Sequence, residues 1–232
     1  IELYEHNKSG YQKLIQLLKR TKCATIDHAT GTGKTGIAIQ FLKDNKNKRY
    51  LYLAPTYQIL EQVKRNCYKF GFTPENLNID TLIYRSLLKM DMRELYKKYD
   101  GFIFDEYHRI GAVETYKKIK ELKFLLQESD DDKKFIGLTA TPIRYLDKER
   151  NMTEEIFDNN VASKLPLARA LLGKLLPVPF YINSKISCRA QYWKLKSKVR
   201  QLPLCKERKE IEEKIESAGQ QIGNGTLDNK KM

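Results

Sequence analysis

Residues 28–35 read His-Ala-Thr-Gly-Thr-Gly-Lys-Thr, and no other stretch constrains the fold as tightly. A short apolar run, Cys23–Ile26, precedes it, and a helical pattern, Gly36–Leu42, follows it. Strand, glycine turn, Gly-Lys-Thr and helix in that order is the layout of a phosphate-binding loop. Glycines let backbone N–H groups close around phosphate oxygens, and the helix N-terminus adds partial positive charge there. In such a loop Lys34 reaches the β- and γ-phosphates of a bound nucleoside triphosphate, and the Thr35 hydroxyl ligates Mg²⁺. Thr30, Gly31, Thr32 and Gly33 make up the turn itself. One position departs from the strict pattern: His28 stands where a glycine is expected, five residues before Gly33.

A phosphate loop needs a sheet behind it, and the chain supplies the pattern for one. Apolar runs at Cys23–Asp27, Arg49–Leu53, Asn78–Leu82, Gly101–Phe104 and Phe135–Leu138 read as strands, with Val178–Ile182 a candidate sixth. Helical patterns lie between them at Gly36–Leu42, Ile59–Lys69, Tyr84–Lys98 and Val113–Gln127, and another, about Ser9 to Lys19, comes before the first strand. This alternation predicts an α/β fold with a mainly parallel central sheet flanked by helices. In such sheets ligands bind beyond the carboxyl ends of the strands.

Two further motifs fall at those ends. Phe102-Ile103-Phe104 runs into Asp105-Glu106-Tyr107-His108. A carboxylate at the end of a buried strand is costly without a cationic partner, and Mg²⁺ would supply one. Asp105 is therefore the candidate metal ligand and Glu106 the candidate base for an attacking water. The second motif, Thr139-Ala140-Thr141-Pro142, closes the next strand with small hydroxylated residues that can hydrogen-bond the acids without filling the cleft.

The balance of 43 Lys and Arg against 29 Asp and Glu gives a net charge of +14, which points to a polyanionic partner, nucleic acid first. Residues 185–232 hold 12 of the basic residues against 6 acidic ones. Tyr192–Ile215 reads as one or two exposed helices broken at Pro203, and the stretch from Gly219 as a disordered tail. The expected organisation is a nucleotide-binding domain over 1–184, a helical basic extension over 185–218 and a tail over 219–232. The four cysteines carry no local zinc-pair spacing, and Cys23 and Cys67 read as reduced core residues. No apolar stretch approaches the roughly 20 residues of a membrane span, and no signal segment opens the chain. A cytoplasmic protein is expected.

The order of the three motifs resembles the superfamily 2 helicases and translocases of the DEAD/DEAH-like group. Their first RecA-like domain carries a Gly-Lys-Thr loop, an Asp-Glu-x-His box and a Ser/Thr-Ala-Thr box. His108-Arg109-Ile110-Gly111-Ala112, Thr141-Pro142-Ile143-Arg144-Tyr145-Leu146, and the stretch from Phe157-Asp158 to Leu167-Ala168 are similar to the group around the type III restriction enzyme helicase subunit. The resemblance covers roughly residues 3–182. It implies ATP and Mg²⁺ as ligands, with Lys34, Asp105 and Glu106 catalytic. His108, Thr139, Ala140 and Thr141 would couple the nucleotide site to the strand-binding face. Leu3-Tyr4-Glu5-His6-Asn7 is similar to the adenine-contacting segment, with Asn7 in the place of a glutamine one methylene longer. Leu53-Ala54-Pro55-Thr56 and Asp80-Thr81-Leu82 resemble segments that touch the nucleic-acid backbone, which makes Pro55, Thr56 and Thr81 candidates. Thr56 reads equally well as a simple helix cap.

The resemblance further implies a second RecA-like domain, whose arginines complete the site. No such segment follows Ile182, so this chain is expected to bind ATP–Mg²⁺ and, alone, to hydrolyse it slowly. DNA is the expected partner ahead of RNA, and no membrane is. Two other readings stay open on the residues: another phosphate-loop enzyme such as a small kinase or GTPase, and a nucleic-acid-binding module whose ATP motifs are relics.

Overall fold

The computed structural model describes residues 2–144, 149–178, 188–201 and 206–223. Contacts divide the chain into two compact units, Ile1–Val178 and Pro179–Met232. The break falls six residues before the expected domain boundary at 184.

In the first unit, helix α1 (Glu5–Leu18) leads into β1 (Cys23–His28) and α2 (Lys34–Asp44). Then come β2 (Tyr50–Ala54), α3 (Tyr57–Lys69), β3 (Ile79–Ile83), a 3-10 segment (Tyr84–Lys89), α4 (Met92–Lys98) and β4 (Gly101–Asp105). A second 3-10 segment (Tyr107–Gly111) and α5 (Val113–Glu128) precede β5 (Lys134–Thr139). Two-residue strands β6 (Ile143–Arg144) and β7 (Arg150–Asn151) pair antiparallel, followed by α6 (Met152–Phe157), β8 (Val161–Leu165) and α7 (Leu167–Leu172).

The six long strands form one parallel sheet in the order β3-β2-β4-β5-β1-β8. This is the mainly parallel α/β sheet that the sequence predicts. Its register decides where function can sit: Asp27 pairs with Thr139, and Asp105 with Leu138. The phosphate loop, the acid pair and the Thr-Ala-Thr run therefore emerge side by side at one edge.

Side chains alternate across the sheet with the two-residue period of a strand. Tyr52, Ile103 and Ile136 face a core shared with Leu14 of α1, Ile37 of α2 and Val63 of α3. Leu53, Phe102, Phe104 and Phe135 face the opposite core, with Leu95, Leu122 and Phe157 from α4, α5 and α6. Burying each such side chain stabilises by about 1.5–3 kcal/mol. Both faces being covered explains why the strands read as near-continuous apolar runs.

Three expectations are corrected here. The helix predicted over Tyr84–Lys98 is interrupted, because Met90 is extended and Asp91 starts a new helix. The Asp91 carboxylate accepts from Arg93 N at 2.8 Å and Glu94 N at 3.0 Å. The sixth strand is Val161–Leu165, not the candidate at Val178–Ile182, where Val178 is outside any strand and residues 179–182 lie outside the described residues. As an edge strand β8 buries only Leu165 of its five residues, so it lacks an apolar run. Third, in the second unit, α8 (Cys188–Arg200) is followed by α9 (Lys206–Gly223), which extends five residues into the expected tail. Ile211, Ile215 and Ile222, four and seven residues apart, continue the helical spacing into that stretch; residues 224–232 lie outside the described residues. These two helices pack on one another around the buried Val199, with Lys196 Nζ 3.2 Å from Glu216 Oε1. Among the described residues no helix is long and apolar enough to cross a membrane.

Candidate active site

The phosphate loop is a main-chain structure. Gly31 and Gly33 hold φ of +86° and +88°, a region that L side chains rarely adopt. A Cβ on Gly33 would also lie 2.7 Å from Asn7 Nδ2. That amide donates to Thr32 O at 2.8 Å, and His6 Nε2 donates to the same carbonyl at 2.8 Å. Thr32 Oγ1 turns inward and donates to Ala29 O at 2.7 Å. Lys34 Nζ donates to His28 O at 2.8 Å, so the amine is held over the loop by its own carbonyls. Burial lowers the Lys34 pKa, and the nearby Glu106, Asp105 and Asp27 carboxylates oppose that shift.

His28 departs from the usual loop pattern without disturbing it. Its carbonyl serves Lys34, while its ring turns away, with Nε2 2.8 Å from Ser163 Oγ of β8. A Cβ on Gly10 of α1 would sit 3.2 Å from the ring. Burial first, then the His6 and Lys34 charges, push the His28 pKa down to about 4, so the ring is neutral at pH 7. The residue thus ties β8 and α1 to the base of the loop.

The facing wall is built from side chains. Asp105 is buried at the end of β4; Tyr52 Oη donates to its Oδ2 at 2.8 Å and Glu106 N to its Oδ1 at 3.0 Å. Tyr84 Oη donates to the Asp105 carbonyl at 2.8 Å. Burial pushes the carboxyl up to about 6, against the Tyr52 hydrogen bond and the Lys34 charge. Glu106 adopts φ +48°, a left-handed conformation costly for a residue with a side chain. Its Oε2 lies 3.4 Å from both Thr139 Oγ1 and His108 Nδ1. His108 Nδ1 is 2.9 Å from Thr139 Oγ1, which also accepts from Thr141 N at 3.2 Å. Burial lowers the His108 pKa, with Glu106 acting the other way. Glu106, His108, Thr139 and Thr141 are thus one network, with Ala140 the small residue between its two threonines.

Between the walls lies a cavity of about 310 Å³. Asn7, Thr30, Gly31, Gly33, Lys34, Thr35, Asp105 and Glu106 all line it. Tyr4, from the expected adenine-contacting segment, lines it too, but a third side was not anticipated: Ile59, Gln62, Asn66 and Phe70 of α3 and its C-cap face the cavity. Their three- and four-residue spacing marks one helix face, and that spacing is the signal that could have found them. Pro55, Thr56 and Thr81 do not line this cavity. Thr56 caps α3, accepting from Ile59 N at 3.4 Å, and Thr81 of edge strand β3 lines a separate groove with Arg49, Lys98 and Tyr99.

The residues present suit a nucleotide with Mg²⁺. Asn7 Oδ1 is buried with no hydrogen-bond partner, leaving an acceptor to be satisfied at the cavity. Among the described residues no lysine or arginine forms an ion pair with Asp105. Also among those residues, no group of three or more His, Cys, Asp or Glu could hold a metal ion. Mg²⁺ differs from most metals in needing only one or two protein ligands beside phosphate and water, which Thr35 and Asp105 can provide.

A family model described as "Type III restriction enzyme, res subunit" matches residues 1–144. Among solved structures, the chain is similar to the ATP-dependent Type ISP restriction-modification enzyme LlaBIII bound to DNA, with TM-score 0.54 and 18% identity over 76% of this chain and 16% of that one. It is similar to a nuclease-deletion mutant of the Type ISP enzyme LlaGI in complex with a DNA substrate mimic, with TM-score 0.54 and 16% identity over 88% of this chain and 23% of that one. The Pyrococcus furiosus Hef helicase domain gives TM-score 0.51 and 16% identity over 84% of this chain and 45% of that one. At these identities the likeness shows the fold, that of a RecA-like helicase domain. The chain spans less than half the length of each of these structures. No curated protein matches it.

Proposed function

Because the chain belongs to the type III restriction enzyme res subunit family, we propose that its helicase-like core hydrolyses ATP with Mg²⁺ to drive movement on DNA. One observation carries the reading: Lys34, Thr35, Asp105 and Glu106, from two distant segments, line a single cavity. On this reading the incoming phosphates compete for Lys34 Nζ, drawing it from the His28 carbonyl onto the β- and γ-oxygens. Thr35 and Asp105 are the residues that would hold Mg²⁺, whose charge, when bound, offsets that of the phosphates. Glu106 orients the attacking water and takes its proton. His108 and Thr139, both in contact with the Glu106 carboxylate, carry the state of the site toward the Thr-Ala-Thr segment. Pro55 and Thr56 directly follow the end of β2, and Thr81 sits midway along the edge strand β3; on this reading the backbone of a nucleic-acid strand runs past them.

Full activity on this reading needs a second RecA-like domain; a facing arginine is worth about 10³–10⁵ in rate where one is used. That LlaBIII and LlaGI are described with DNA supports DNA over RNA as the track. The test is ATP turnover by the full-length protein, with and without DNA or RNA, for the wild type and Glu106→Gln. DNA-stimulated turnover abolished by the substitution is expected. No turnover above background in either protein, with DNA binding retained, would establish the relic-motif module instead.

A further inference from the structure

We propose that Tyr107 is a positioning residue: held by Asp27 of β1 and Thr153 of α6, it fixes the left-handed turn that directs Glu106 into the cleft. The inference rests on the ATPase reading of that cleft. Tyr107 occupies the variable place of the Asp-Glu-x-His box, and it is fully buried. Its hydroxyl donates to Asp27 Oδ1 at 2.7 Å and lies 2.6 Å from Thr153 Oγ1. The single phenolic proton goes to the carboxylate, so the threonine hydroxyl donates to the phenolic oxygen.

The ring is gripped as firmly as the hydroxyl. A Cβ on Gly137 of β5 would come within 2.8 Å of the Tyr107 ring and 2.7 Å of the Phe157 ring, and the two rings stand 4.9 Å apart. Glycine at 137 is what lets Tyr107 and Phe157 lie directly on the sheet. Asp27 stands next to His28, whose carbonyl holds Lys34, and it pairs in register with Thr139. Asp27 therefore joins three parts of the site: it lies in the strand behind the phosphate loop, its backbone pairs with the strand that carries Thr139, and its carboxyl holds the turn that carries Glu106.

Packing alone does not account for this arrangement. A phenylalanine would fill the same space, and an aspartate 4% exposed inside a strand is costly to bury. Glu106 at φ +48° needs support on both sides, since such a backbone persists only when its surroundings over-determine it. Tyr52 and Tyr84 fix the Asp105 side, and Tyr107 fixes the other.

The experiment compares Tyr107→Phe, Asp27→Leu, Asp27→Asn and the Tyr107→Phe/Asp27→Leu pair in the full chain. It follows kcat and KM for ATP, the melting temperature, and deuterium exchange of residues 105–109. Tyr107→Phe and Asp27→Leu are each expected to lower kcat about tenfold with KM within about twofold, and the pair to lose no more than either alone. Asp27→Asn keeps an acceptor and should stay within about threefold of wild type. Exchange at 105–109 should quicken about tenfold in the two disruptive variants while α1 keeps its protection. A changed melting temperature with unchanged kcat and exchange would reduce Tyr107 to packing and overturn the proposal. Additive losses in the pair would overturn the route through Asp27. If Tyr107→Phe fails to fold, Asp27→Leu and Asp27→Asn decide the matter. If the wild type turns over no ATP, the ATPase reading fails, and the exchange measurement still decides what Tyr107 does.

Discussion

One wall of the cleft, residues 28–35, is main chain: two glycines at positive φ and a set of carbonyls that hold Lys34 and Asn7. The facing wall, Asp105–His108, is side chain, held by hydroxyls from Tyr52, Tyr84, Tyr107 and Thr139. The first wall needs a few residue types at fixed local spacing. The second needs partners brought from 21 to 80 residues away. Loop geometry therefore tolerates His28 in a glycine's place, whereas the acid wall depends on residues that no short motif contains.

The largest test of this contrast is catalytic. Lys34→Ala should cut ATP turnover by about 10²–10³-fold and weaken nucleotide binding as well, since on the proposed reading the amine meets the phosphates in ground and transition states alike. Glu106→Gln should lower kcat by about 10²–10⁴-fold with ATP affinity nearly unchanged, as a base acts only on the reacting water. Steady-state turnover alongside titration calorimetry separates the two. Equal losses of affinity in both variants would mean that the walls do not divide binding from chemistry.

A second test uses pH, because the walls titrate in opposite senses across the same window. Asp105 is raised from 3.8 to about 6 in the folded chain, so its contribution to stability is present below pH 3.8 and lost as pH rises through 6. His28 is lowered from 6.5 to about 4, so its contribution is present above pH 6.5 and lost as pH falls through 4. Each amounts to roughly 2–3 kcal/mol across the window, and in the wild type they offset. Asp105→Asn should therefore leave stability falling more steeply from pH 7 to pH 4, and His28→Gln should leave it falling less steeply. Urea unfolding at several pH values checks both. The same slope change in the two variants would break the contrast.

What the sequence made legible follows the same division. The loop, five of the six strands and both boxes could be read because their information is local: apolar runs bounded by turns, and motif residues within eight positions of one another. The support of Asp105 could not, since Tyr52 and Tyr84 look like ordinary apolar residues of β2 and of the segment after β3. Tyr107 stands at the variable place of the Asp-Glu-x-His box and Asp27 at the end of a strand, so neither carries a local signal of the bond between them. Strand β8 was missed because Val161–Leu165 alternates weakly at a half-covered edge. The break at Met90 and Asp91 was legible in principle, since an aspartate before Met92-Arg93-Glu94 is a helix-start signal.

The smallest effect belongs to Thr56, which lies outside both walls at the start of α3. Its hydroxyl accepts from Ile59 N at 3.4 Å, a long cap, so Thr56→Ala should cost about 0.5–1 kcal/mol of stability. If Thr56 also donates to a DNA phosphate, the substitution removes one charge-assisted hydrogen bond, worth about 1.5–3 kcal/mol of binding. A threonine releases no counterion, so log affinity against log salt should keep its slope and shift down as a whole. DNA binding by wild type and Thr56→Ala across a salt series measures that shift. Unchanged affinity in a variant with a lowered melting temperature would leave Thr56 a helix cap alone, and would move the DNA track away from the start of α3.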